Sequence, residues 1–106
     1  MLVPDLVELR QSLGLTQREA ALLLEVAVNT WARWERGEMG VHPERARQVR
    51  RLQQLVERYG ESPLWGLGVG GVRDVLDGMT VAEALEARGL DSYGAPTRAT
   101  EGGGHG

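Results

Sequence analysis

Apolar residues recur at helical spacing from the first residues of the chain. Leu2, Leu6, Leu9 and Leu13 form one stripe, three and four apart, as one face of a 3.6-residue helix requires. Pro4 suits a first helical turn and Asp5 its positive end, so the pattern predicts a helix from Pro4 to Leu13 with Gly14 as its stop. A second helix is predicted over Gln17–Leu24. Thr16 and Glu19 have the spacing of a capping box, and Ala20, Ala21 and Leu24 share a face on which Ala21 leaves room for a close neighbour. The pattern breaks at Glu25-Val26-Ala27 and restarts as a third helix, Val28–Arg36. Trp31 and Trp34 lie on one side of it, and Asn29 and Arg33, four residues apart, on another.

Residues 37–42 read as a loop, and Pro43 opens a fourth helix that ends near Tyr59-Gly60. Its apolar line is Ala46, Val49, Leu52 and Val56, with Arg45, Arg47, Arg50 and Arg51 around the other faces. The stretch Ser62–Gly71 is apolar but glycine-laden, and is expected to be an irregular connector. Val72–Leu76 has room for a turn or two of helix. Thr80 and Glu83 repeat the capping-box spacing before a short helix to Arg88, stopped by Gly89. Val72, Val75, Leu76, Met79, Val81, Leu85 and Leu90 supply its apolar side, which needs a partner surface. From Ser92 onward too few apolar residues remain to order the chain, and a disordered tail is expected. The predicted fold is all-α: a four- to five-helix domain over residues 1–60, a glycine-rich connector with a small helical appendage over 61–91, and a tail over 92–106.

Two short helices joined by a tight turn, with small residues where they cross, make a helix-turn-helix. The run L-T-Q-R-E-A-A followed by V-A-V-N-T-W-A-R-W-E-R-G resembles the phage repressor/Cro-like (XRE-type) helix-turn-helix family. The similarity is closer still to the DNA-binding half of the zinc-ribbon (MqsA-like) antitoxins, and it spans roughly Leu6 to Leu55. Two positions depart from the pattern. Glu25 stands where the family usually has glycine for a left-handed turn, and Ala27 stands where Ser or Thr usually caps the third helix. The missing cap is worth about 1 kcal/mol.

The resemblance implies an operator-binding protein whose third helix enters the major groove with its N-terminal residues over the base edges. Asn29 can pair with adenine and Arg33 with guanine, while Val28 and Thr30 can meet a thymine methyl. Gln17 at the start of the second helix, with Arg18, Arg36 and Arg45, is expected at the phosphates. The competing reading of Arg33 is a surface ion pair with Glu25 or Glu38. Trp31 is expected in the core and Trp34 beneath the 37–41 loop, with Glu35 accepting hydrogen bonds from that loop's amides. His42 reads as a helix cap or loop residue. Leu22 and Leu23 are adjacent on a helix with one buried side, so one of them is exposed unless another segment or chain covers it.

Charge changes this picture only in part. The net charge is −3, but residues 1–58 carry +1 and residues 59–106 carry −4, and all 12 basic residues are arginine. A basic face on the first half is therefore compatible with a weakly attractive overall field. With no cysteine, a zinc ribbon is absent, and His42 and His105 alone do not make a metal site. Neither a cofactor nor a metal is expected. No run of about eighteen apolar residues or leader pattern occurs, so a soluble cytoplasmic protein away from membranes is expected. The run G-L-G-V-G-G has neither a preceding strand nor a following Lys-Ser/Thr and is not a phosphate loop. No nucleophile-base set is present, so an enzyme is not expected. Two functions stay open: a dimeric repressor of transcription bound to double-stranded DNA, or an antitoxin-like or phage-encoded module whose acidic C-terminal half binds a host protein or toxin through residues 64–90. Whether that segment dimerises or holds another protein is not settled by the sequence.

Overall fold

The computed structural model describes residues 4–97. Among these residues six helices follow one another: α1 Leu6–Ser12, α2 Gln17–Leu23, α3 Val28–Glu35, α4 Pro43–Tyr59, α5 Glu61–Leu76 and α6 Val81–Ala87. Among the described residues there is no strand, only an isolated antiparallel bridge between Leu90 and Pro96.

Helix starts follow local chemistry, although α1 begins at Leu6 rather than at the predicted Pro4, because Asp5 is its N-cap. The Asp5 carboxylate accepts from the Val7 and Glu8 amides at the head of α1. Thr16 and Glu19 close a reciprocal capping box on α2, and Thr80 and Glu83 close a second one on α6. Pro43 occupies the first turn of α4 with His42 as its N-cap, and the His42 side chain makes no cap hydrogen bond. Leu6, Leu9 and Leu13 are buried as predicted, while Leu2 lies outside the described residues. On α4 the buried line is Ala46, Val49, Leu52 and Leu55, with Val56 at its half-buried edge. Leu23 is 1% exposed and Leu22 66%, so one of that adjacent pair does face solvent.

The glycine-rich stretch departs from expectation. Residues 61–76 are helical in two pieces that meet at Gly68, where φ is 68° and ψ −171°. The three glycines in helical conformation, Gly66, Gly70 and Gly71, cost roughly 1 kcal/mol each in propensity relative to alanine. Leu64, Leu67, Val72 and Val75 are all buried, and each contributes roughly 1.5–3 kcal/mol by leaving water. Burial wins, and propensity is overridden. α5 packs on α2, α4 and α6, so one hydrophobic core runs continuously from Leu6 to Leu85.

The expected tail is also shorter than the sequence suggests. Residues 91–97 fold back on α5 and on the end of α6: Ser62 Oγ donates to the Tyr93 carbonyl at 2.7 Å, and the Thr97 amide donates to the Gly89 carbonyl just after α6 at 2.9 Å. This return is possible because Gly94, at φ 83°, lies against Gly66. A Cβ at Gly66 would meet the Gly94 carbonyl oxygen at 2.3 Å. A tight backbone-on-backbone contact thus replaces the side-chain packing that Ser92–Thr97 lacks. The remainder of the expected tail lies outside the described residues.

Candidate nucleic-acid interface

α2 and α3 are joined by Leu24–Ala27. The Glu25 amide donates to the Leu22 carbonyl at 3.1 Å and the Val26 amide to the Ala21 carbonyl at 2.9 Å, the paired hydrogen bonds that close a helix through a left-handed residue. Glu25 holds that conformation at φ 59°. Ala27 caps α3 with no side-chain hydrogen bond. Both departures noted in the sequence are therefore real features of the turn.

α3 has a core side and an outer side. Trp31 and Trp34 are buried and meet edge to face, with ring centroids 5.8 Å apart, a favoured aromatic geometry. Val28 and Asn29 are exposed, and Thr30 and Arg33 are half-buried, around the opposite side. The Asn29 side chain makes no hydrogen bond among the described residues, so its amide is available to a ligand. The structure thus places Val28, Asn29 and Thr30 in the first turn of α3 and Arg33 in its last, around the side away from the core.

The expected phosphate-contacting residues are less free. Arg18 is exposed. Arg36 donates to Glu38 at 2.7 Å, and Arg33 Nε lies 3.8 Å from the same carboxylate. Arg45 donates to the Gln48 side chain at 3.3 Å. The hydrogen bond from Arg36 is the main cause holding the Glu38 carboxyl below its ordinary value. Arg47, Arg50 and Arg51 on α4 are exposed and pair with no carboxylate among the described residues, so the basic character of this half is concentrated there.

Gln17 and Glu35 have a role the sequence does not reveal. Glu35 accepts nothing from the loop amides. Its side chain is 6% exposed and accepts from Arg10 Nε at 2.6 Å, from Gln17 Nε2 at 2.8 Å and from the Trp31 indole N–H. Arg10 also donates to the Leu15 carbonyl at 3.1 Å. Burial pushes the Glu35 carboxyl up, but the hydrogen bonds from Arg10, Gln17 and Trp31 and the Arg10 charge outweigh it, and the group lies below its ordinary value. One carboxylate thereby ties α1, α2 and α3 together. Arg10 is a positioning residue that sequence reasoning missed, because its partner lies 25 residues away. Gln17, expected at a phosphate, spends one amide N–H inside this network.

Two helices of seven and eight residues, closed by a tight turn and locked from beneath by a half-buried carboxylate, define a helix-turn-helix module. Residues 1–86 match the Aca2/YdiL-like family, and the chain belongs to that family, a helical, antitoxin-like family of the helix-turn-helix type. The match ends within α6, so the returning segment 91–97 lies beyond it. No curated protein and no solved structure matches the chain. No helix among the described residues is long and apolar enough to cross a membrane.

Proposed function

We propose that the protein is a sequence-specific DNA-binding regulator of transcription, a dimeric repressor acting on its own operon. The observation that carries this is the outer face of α3, where Val28, Asn29, Thr30 and Arg33 stand together over a locked core of Trp31, Trp34 and Glu35. Asn29 reads adenine and Arg33 reads guanine one helical turn later, with Val28 and Thr30 against thymine methyls. Arg18 and Arg36 meet the phosphates, joined by Arg45 and by Gln17, whose remaining amide hydrogen is available. The resemblance to XRE-type repressors and to the DNA-binding half of the zinc-ribbon antitoxins supports the same assignment. Two copies of α3 in a dimer would engage half-sites about one helical turn apart on a palindromic operator.

The test is fluorescence anisotropy on the duplex upstream of the protein's own gene, with random DNA as competitor, over a salt series. Competitor-resistant binding by a dimer is the expected result. Equal affinity for upstream and random DNA at moderate salt would overturn the reading.

A second reading is supported by the exposed aromatics of the C-terminal half. Trp65 is 54% and Tyr93 73% exposed, and they line one cleft with Ser62 and Gly94. On this reading the acidic C-terminal half binds a host protein or toxin through residues 64–90. A stoichiometric protein complex that survives salt which abolishes DNA binding would favour it. The two functions are compatible in one chain.

A further inference from the structure

The turn between α2 and α3 is an exception among the helix ends of this protein. α1, α2, α3, α5 and α6 all end with the same pair of backbone hydrogen bonds, reaching back three and five residues. After four of them the residue at positive φ is glycine: Gly14, Gly37, Gly78 and Gly89. After α2 it is Glu25, the one non-glycine residue at positive φ among the described residues. A side chain there is disfavoured by contact between its Cβ and the backbone. Contacts from outside the turn offset that cost.

Arg73, in the second piece of α5, does so from 48 residues away. Its Nη1 donates to the Leu23 carbonyl at 2.8 Å, and its Nη2 lies 3.2 Å from Glu25 Oε1. Asp77, one helical turn later, fixes the guanidinium from behind at 3.2 Å. The Leu23 carbonyl belongs to the last turn of α2, which has no basic residue of its own. Arg73 therefore meets both the negative end of α2 and the carboxylate of the strained residue that follows it. The planar fork of arginine suits two acceptors at once. Leu23 and Leu24 are buried directly beside this contact, so the turn is pinned from the core and from α5.

We infer that Arg73 is a positioning residue for DNA reading: through the Leu23 carbonyl and the Glu25 carboxylate, the C-terminal half sets the angle at which α3 presents Asn29 and Arg33. This rests on the DNA-reading role of α3 proposed above. It makes α5 part of the reading apparatus although α5 carries none of the base-reading residues.

The test uses the full chain, with duplexes enriched from a randomised library by the wild-type protein and a shuffled duplex of the same composition. Arg73→Ala is expected to weaken binding to the enriched duplex about tenfold, while affinity for the shuffled duplex stays within about twofold. Arg73→Lys, which keeps the charge and loses the fork, is expected to fall between, and stands in should Arg73→Ala not fold. Hydrogen exchange on the DNA-free protein gives an independent readout: residues 24–31 should exchange faster in the variant, with α4 unchanged. Equal losses on both duplexes, or exchange raised uniformly along the chain, would mean ordinary destabilisation and overturn the inference. Should the wild type enrich no duplex, the DNA reading itself fails. The exchange pattern then still decides whether Arg73 holds the turn.

Discussion

Arg10 Nε lies 2.6 Å from a Glu35 carboxylate oxygen, joining the first helix of the chain to the end of the third. With Gln17 and Trp31 donating to the same carboxylate, α1, α2 and α3 share a polar centre. Removing the acceptor leaves the Gln17 and Trp31 donors without it and Arg10 with only the Leu15 carbonyl. Glu35→Ala is expected to lose about 2–3 kcal/mol of stability, as for hydrogen bonds to a half-buried charged group. Urea denaturation measures it, and a loss below about 1 kcal/mol would show that water replaces the carboxylate without penalty.

The same carboxylate predicts an acid dependence. Its folded pKa lies below the ordinary value of 4.5. A group lowered in the folded state stabilises fully above its unfolded value, and that contribution is lost as pH falls through the folded value. Stability from Glu35 should therefore be constant near neutrality and decline as pH falls below about 4.5. Glu38, lowered chiefly by the hydrogen bond from Arg36, and Glu83, lowered chiefly by the Thr80 backbone amide, act with the same sign. The difference between wild type and Glu35→Gln across an acid denaturation series isolates the Glu35 share. Parallel curves would refute it.

At the proposed interface, base reading and phosphate binding should separate. Arg33→Ala and Asn29→Ala are each expected to lose about 1–3 kcal/mol on the preferred duplex and to relax sequence preference. Arg18→Ala should weaken all sequences alike and reduce the salt slope by about one. Competition anisotropy at several salt concentrations distinguishes the two classes. An Arg33→Ala variant that loses equally on random DNA would place Arg33 at the backbone instead.

Two glycines of α5 should respond in opposite directions. At Gly66 an added methyl collides with the Gly94 carbonyl, so Gly66→Ala should detach residues 91–97 at a cost of about 1–3 kcal/mol. At Gly70 the nearest atom to an added Cβ is Arg88 Nη2 at 3.5 Å, an ordinary contact. Gly70→Ala should therefore stabilise by up to about 1 kcal/mol through helix propensity. Thermal melts and limited proteolysis after Gly89 check both.

Ala27 offers a gain that touches no packing. Its backbone is already extended, at φ −67° and ψ 146°, and it caps α3 without a side-chain acceptor. Ala27→Ser is expected to add about 1 kcal/mol. An unchanged melting curve would mean that solvent already satisfies the first amides of α3.

What the sequence by itself determined were the features decided within a few residues of one another. The capping boxes at Thr16 and Thr80 and the first-turn Pro43 follow from neighbouring residues, while the left-handed Glu25, the uncapped Ala27 and the buried Trp31 came from the resemblance to the repressor-like family. The outward face of Asn29 and Arg33 was legible for the same reason. The tertiary structure alone decided three things. It made a helix of a glycine-rich stretch, because Leu64, Leu67, Val72 and Val75 had a core to enter. It turned residues 91–97 back, because Gly66 and Gly94 allow two backbones to touch. It gave Glu35 and Glu25 their arginines, 25 and 48 residues away. Propensity and capping act over one turn of chain, whereas burial and ion pairing depend on which distant segments meet.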